Sequence, residues 1–310
     1  MSEHATLLGA QQNLVGITTD PLSTDNFPSR SSAVFFNAGI IHRVGPSRLY
    51  VNIARRLAEV GCGSTRFDHA GFGDSAARCD DMPFEQSATL EGREIMDALQ
   101  QSSGVDRFIL IGLCSGAVTA FESALADPRV AGVVLINPQG FDESPEWNRY
   151  IMNRGDAHRY WNRALFNPSS WWKALSGRAD YRRLFRVLWN QVSSTVAPVP
   201  VVAAVTTRVA AGLKTLVGRR VRLLLLCSEG DDGIEYMNVI LGADLRKGGG
   251  SDYFDVRIMP GADHSLTLMG SQRQVVDEVV DWTRTVFLSG PGDADPVQQA
   301  GAPAALVAAR

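Results

Sequence analysis

Short apolar runs separated by amphipathic stretches set the pattern of this chain. Ala33-Val34-Phe35-Phe36 is the first uninterrupted run and reads as a strand buried on both faces. Tyr50, Ile53, Leu57 and Val60 then recur at helical spacing, so an amphipathic helix runs from about Ser47 and closes at Gly61. Thr65-Arg66-Phe67 is a short strand, and a helix from about Ser87 turns Ile95, Met96 and Leu99 inward. Phe108-Ile109-Leu110-Ile111 and Val133-Val134-Leu135-Ile136 are two further strands, with a helix between them over Ala117-Val118-Thr119-Ala120-Phe121. Val221-Arg222-Leu223-Leu224-Leu225-Leu226 and Asp255-Val256-Arg257-Ile258-Met259 complete the strands. Val275, Val276, Val279, Val280, Val286 and Phe287 mark the inner face of a C-terminal helix, for which Ser271 and Gln274 form a capping-box pattern. Strands apolar on both faces and alternating with helices predict an α/β fold: a mostly parallel sheet covered by helices on both sides.

Three regions depart from that alternation. Residues 1–30 are polar, with a β-prone patch at Asn13-Leu14-Val15-Gly16-Ile17 that reads as an edge strand. Residues 138–218 are crowded with aromatics (Trp147, Tyr160, Trp171, Trp189) interleaved with arginines. The only strand signal there, at Val199, Val201 and Val202, is weakened by Pro198 and Pro200. That section is expected to be a helical cap inserted into a core of residues 31–137 and 219–288. Residues 289–310, rich in Gly, Pro and Ala and without aromatics, are expected to be a disordered tail.

A net charge of −3 offers no electrostatic case for nucleic acid. No apolar run approaches the ~20 residues that cross a bilayer, and Met1-Ser2-Glu3-His4 does not open like a signal peptide, so a cytoplasmic protein is expected. The four cysteines (Cys62, Cys79, Cys114, Cys227) show no C-x-x-C, and the five histidines no metal-binding spacing. Neither a disulfide framework nor a bound metal is expected.

The chemistry centres on Gly112-Leu113-Cys114-Ser115-Gly116, between an apolar strand and a helix. Strand, Gly-x-nucleophile-x-Gly, helix describes the nucleophile elbow of α/β hydrolases, a turn too sharp for side chains at the flanking positions. Cysteine stands where serine is usual, and Ser115 is one position past the tip, where its N–H rather than its hydroxyl faces the reaction. Gly71-x-Gly73-x-x-Ala76 matches a dinucleotide fingerprint only superficially: Arg78-Cys79-Asp80-Asp81-Met82-Pro83 follows as a loop, with no helix start to hold a pyrophosphate.

A thiol with pKa about 8.5 needs a base, and the base needs a carboxylate to fix its tautomer. In the elbow fold these follow late strands, in the order nucleophile, acid, histidine. His264, in Gly261-Ala262-Asp263-His264, is the only histidine late enough to be the base. Asp231, in Ser228-Glu229-Gly230-Asp231-Asp232, is the expected acid, with Asp232 as its alternative; Glu229 and Asp263 read as turn or surface carboxylates. An oxyanion needs two aimed N–H donors. Ser115 supplies one, and the loop after the first core strand supplies the other, placed at Gly39-Ile40 with the Ile40 N–H as donor. His42 and Arg43 in that loop either touch a substrate carboxylate or phosphate or brace the loop.

Residues 30–288 together resemble the α/β-hydrolase superfamily. Asn37-Ala38-Gly39-Ile40, Arg43-Val44-Gly45, Arg66-Phe67-Asp68, Gly71-Phe72-Gly73-Asp74-Ser75 and the elbow are similar to bacterial hydrolases associated with exosortase and polysaccharide gene clusters. Dienelactone hydrolases and the acyltransferases of antibiotic pathways also place cysteine at the elbow. The resemblance implies a Cys114–His264–Asp231 triad and an acyl-cysteine intermediate. It would be drawn from an ester or thioester and passed to water or to an amine, alcohol or thiol. An acyl-cysteine is itself a thioester, so exchange with a phosphopantetheine thioester is nearly balanced, and an acyl- or peptidyl-carrier protein is an expected partner. No cofactor is required. A simple carboxylester or lactone hydrolase and a catalytically silent binding scaffold are the alternatives.

Overall fold

The computed structural model describes residues 1–22, 31–142, 144–147, 150–151, 200–229, 231, 233–241 and 252–288. Its strands are β1 (Glu3–Leu8), β2 (Leu14–Thr19), β3 (Ser31–Phe36), β4 (Gly63–Phe67), β5 (Arg107–Leu113), β6 (Val130–Ile136), β7 (Arg222–Ser228) and β8 (Phe254–Met259). The described helices are α1 (Leu49–Glu59), α2 (Phe84–Ser103), α3 (Ser115–Ala126), α4 (Pro200–Gly218), α5 (Gly233–Leu241) and α6 (Met269–Leu288). The strands form one sheet in the order β1-β2-β4-β3-β5-β6-β7-β8. From β4 to β8 every pairing is parallel, while β1 and β2 add an antiparallel hairpin.

Apolar runs without alternation become central strands because both faces of the sheet are covered. All six residues of β3 are buried. On one face, register aligns Phe35, Ile111, Val134 and Leu224 across β3, β5, β6 and β7. That row belongs to the cluster containing Leu49, Ile53 and Leu57 of α1 and Val275, Val279 and Trp282 of α6. Each such side chain contributes roughly 1.5–3 kcal/mol on burial, so the row and the two helix faces lock one another. Parallel order also places the C-terminal ends of β3, β5, β6, β7 and β8 along one edge of the sheet, where the loops of interest emerge.

The structure differs from the sequence reading at several elements. The patch at residues 13–17 is β2, an interior strand between β1 and β4; the edge belongs to β1. The exposed polar start of β1 hid it, because an edge strand facing solvent lacks apolar alternation. Pro200 opens helix α4 where Val201 and Val202 hinted at a strand, since proline is tolerated in a helix's first turn. At 19 residues α4 is also long and apolar enough, by length and composition, to cross a bilayer. Arg208 and Lys214 interrupt its apolar run in the sequence, which is why no such segment was expected. Helix α6 begins at Met269, so Ser271 lies inside its first turn rather than at a capping box.

The chain divides into two compact units. The first comprises Met1–Gly140, Gly212–Ile234 and Asp244–Arg310 and holds the sheet. The second comprises Phe141–Ala211 and Glu235–Ala243. Within it, the Tyr236 hydroxyl accepts the Phe141 N–H at 2.7 Å, and the Tyr236 ring meets Trp147 edge-on at 5.2 Å between centroids. Residues 152–199 of the expected cap, and the expected tail 289–310, lie outside the described residues.

Candidate active site

At the end of β5 the chain turns into α3 through one residue. Cys114 has φ 57 and ψ −123, a positive-φ conformation that costs a non-glycine residue about 1–3 kcal/mol. The surroundings hold it there. A Cβ on Gly112 would collide with the backbone of Gly116 and Ala117, and one on Gly116 with the backbone of Asn37 and Phe36. The Cys114 N–H donates to the Ile136 carbonyl at 2.9 Å, and the buried Tyr50 hydroxyl accepts the Leu113 N–H at 2.9 Å. The cysteine is left half-buried at the tip.

Asp231 and His264 are brought together from the loops after β7 and β8. His264 Nδ1 lies 2.9 Å from Asp231 Oδ2, with the acid's side chain 6% exposed and the ring 32%. Asp231 first, and the nearby Cys114 side chain second, raise the His264 pKa from 6.5 to about 10, against the opposing effect of partial burial. The ring is therefore an imidazolium at neutral pH, with Nδ1 turned to the acid. Asp232, the alternative acid, lies outside the described residues.

Because this pKa is raised on folding, the charged ring stabilises the protein fully below pH about 6.5, and the contribution disappears as pH climbs through about 10. In urea unfolding, the stability gap between wild type and His264→Gln is expected to be largest below pH ~6.5 and to shrink steadily towards pH ~10. A gap independent of pH would contradict this.

Other loop residues act as braces. Glu229 accepts the Gly261 N–H at 3.1 Å, and Asp263 accepts the Thr267 N–H at 2.8 Å, in keeping with structural roles. Two residues that sequence reasoning passed over join the site. Asn137, fully buried with φ 43, accepts the Ser228 N–H at 2.7 Å and donates to the His264 carbonyl at 3.0 Å, tying the acid-bearing strand to the histidine loop. Gln139 Nε2 lies 3.2 Å from Asp231 Oδ1. The only hint was their place after a strand on the edge that carries the elbow. An asparagine before a proline otherwise reads as a turn.

In the loop after β3, the expected oxyanion donor was Ile40. The amide brought against the elbow is that of Gly39, which donates to Ser115 Oγ at 3.0 Å. Gly39 has φ 57, so the chain turns there and leaves the Ile40 side chain 85% exposed one position further on. His42 is exposed, its carbonyl accepting the Gly45 N–H at 3.0 Å. Arg43 braces the loop, pairing with the buried Asp68 and, at 2.7 Å, with Asp74. Downstream of Asp68, residues 71–83 run as a loop to the start of α2, so no helix follows the glycines of the rejected nucleotide motif.

The arrangement is a half-buried cysteine at a strained turn, a protonated imidazole and a buried carboxylate on loops at one edge of the sheet, with backbone N–H groups beside the tip. Comparison with known proteins agrees with the fold. Among solved structures, the esterase domain of a Rhodothermus marinus protein is 17% identical with TM-score 0.54, covering 92% of this chain and 99% of that one. Proline iminopeptidase from Mycobacterium smegmatis is 16% identical with TM-score 0.53, covering 92% and 98%. Dienelactone hydrolase from Anabaena variabilis is 13% identical with TM-score 0.53, covering 93% and 98%. At these identities the likeness is one of fold. Sequence relatives match over segments only. Dipeptidyl aminopeptidase B of Saccharomyces cerevisiae is 32% identical over 66 residues, 21% of this chain and 8% of that protein. The abhydrolase domain-containing protein lid-1 of Caenorhabditis elegans is 31% identical over 118 residues, 37% of this chain and 28% of that protein. The family model described as "Alpha/beta hydrolase family" matches residues 34–279, from β3 into α6, and the chain belongs to that family.

Proposed function

We propose that the chain is an acyl-transfer enzyme with Cys114 as nucleophile. The observation that carries this is the 2.9 Å His264–Asp231 pair, close enough to the cysteine at the elbow tip for that side chain to raise the ring's pKa. An imidazolium whose pKa is raised to about 10 suits cysteine better than serine. A serine needs a neutral base at neutral pH, whereas a sulfur nucleophile attacks as a thiolate and does not need the ring to take its proton.

In the proposed reaction the Cys114 sulfur forms a bond to the carbonyl carbon of an ester or thioester, and the carbonyl electrons move to oxygen. Ser115 and Gly39 N–H groups hold that oxyanion, which displaces the Ser115 hydroxyl from the Gly39 amide. Collapse expels the alcohol or thiol, which takes the proton from His264. The now neutral ring accepts a proton from water or from an amine, alcohol or thiol as it attacks the acyl-cysteine. A second collapse returns the thiolate and releases the product. Asp231 steadies the ring in both protonation states. An acyl- or peptidyl-carrier protein as donor belongs to the same proposal, as do Asp231 rather than Asp232 as the acid and a cytoplasmic setting. The esterase and dienelactone hydrolase among the structural neighbours fit its hydrolytic branch.

Intact-protein mass spectrometry with acyl N-acetylcysteamine thioesters tests this reading. A mass gain equal to the acyl group, absent in Cys114→Ala, is expected. Adding amine, alcohol and thiol acceptors then separates transfer from hydrolysis: free acid with every acceptor would make the enzyme a thioesterase or esterase. Donor binding without any adduct or product would leave a silent scaffold.

A further inference from the structure

Gln139 touches all three members of the candidate triad. Its Nε2 lies 3.2 Å from Asp231 Oδ1, 3.4 Å from Oδ2 and 3.4 Å from His264 Nδ1, and its backbone N–H donates to the Cys114 carbonyl at 3.4 Å. We infer that Gln139 is a positioning residue whose carboxamide fixes the rotation of the Asp231 carboxylate, keeping Oδ2 turned towards His264. The inference rests on the catalytic reading of Cys114, His264 and Asp231 given above.

The hydrogen-bond inventory supports this role. His264 Nδ1 at 2.9 Å from Oδ2 carries its proton towards the acid, so Gln139 Nε2 and Nδ1 are two donors converging on one carboxylate, not partners of each other. Reversing the amide would set its oxygen against both carboxylate oxygens, so electrostatics fixes the orientation. By straddling the two oxygens, Nε2 resists rotation in either direction. Among the described residues, Gln139 and His264 are the side chains bonded to this carboxylate. With Nδ1 committed to Asp231, the ring's Nε2 is the nitrogen left for the cysteine.

The backbone around Gln139 is pinned as well. Asn137 is anchored to Ser228 and to the His264 loop, and Pro138 restricts the chain between them. Gly140, with φ 98, passes over Ser115. The segment after β6 therefore sets the distance between the elbow and the acid.

The test is the titration of the His264 ring by NMR in wild type, Gln139→Met and Gln139→Glu, alongside steady-state kinetics with an acyl N-acetylcysteamine thioester. Gln139→Met keeps the length and loses the donors. Its His264 midpoint is expected to fall by about one unit towards 6.5, with kcat down roughly tenfold and KM changed less than about twofold. Gln139→Glu, which sets a second carboxylate beside the ring, is expected to raise the midpoint. An unmoved midpoint in both folded variants would overturn the inference, and so would a KM increase at constant kcat, which would make Gln139 a substrate contact. If wild type and Cys114→Ala turn over the thioester equally, the nucleophile reading has failed instead. The ring titration still decides the role of Gln139, because it needs no turnover.

Discussion

Cys114→Ala is expected to leave the fold intact and to lower turnover of an activated thioester by on the order of 10⁴-fold or more. Alanine carries the same Cβ, so the strained φ of 57 is no worse tolerated than in the native protein. The collisions that dictate glycine at positions 112 and 116 are untouched, and so are the Ser115 and Gly39 amides. What disappears is the sulfur proposed to form the acyl bond. Residual catalysis would come from binding and oxyanion stabilisation alone. Cys114→Ser is the sharper variant. With Asp231 still holding the ring proton, a serine there has no neutral base at pH 7, so its small activity is expected to rise with pH as His264 loses its proton. Turnover within tenfold of wild type in Cys114→Ala would place the nucleophile elsewhere.

Asp68→Ala is expected to destabilise the protein by about 3–5 kcal/mol in urea unfolding. The Asp68 side chain is fully buried and accepts from the Arg43 guanidinium and backbone N–H, from Asn37 Nδ2 at 3.2 Å and from the Asp74 N–H at 3.2 Å. Its loss leaves a mostly buried guanidinium and three further donors without that acceptor, and removing one partner of a buried pair is the costly direction. The same bonds fix the loop from Asn37 to Arg43, which carries Gly39, so catalytic rate should fall with stability. Asp74→Ala is the control. That carboxylate is 68% exposed, and its removal is expected to cost under about 1 kcal/mol. Equal losses in the two variants would show that burial does not set the importance of the pair.

Much of the core was legible because its signals are local. Apolar runs over residues 33–36 and 108–111 became β3 and β5, and the helical spacing of Tyr50, Ile53 and Leu57 became α1. The elbow was legible because its two glycines answer a steric demand made within five residues. Strand β1 and the start of α6 were misread or missed, since solvent-facing edges and helix ends carry weak periodicity. The contact of the Gly39 amide with Ser115 Oγ was not legible either, because it arises only where the chain turns against Ser115.

The sequence by itself determined the alternation of buried strands and helices, and the cramped turn that holds a cysteine at positive φ. Both follow from the sterics and hydrophobicity of residues close together in the chain. Only the tertiary structure decided that His264 meets Asp231 at 2.9 Å, that Arg43 pairs with Asp68, and that Asn137 and Gln139 join the site. Those contacts link residues 25 to 127 positions apart, and parallel strand order alone brings their loops to one edge of the sheet.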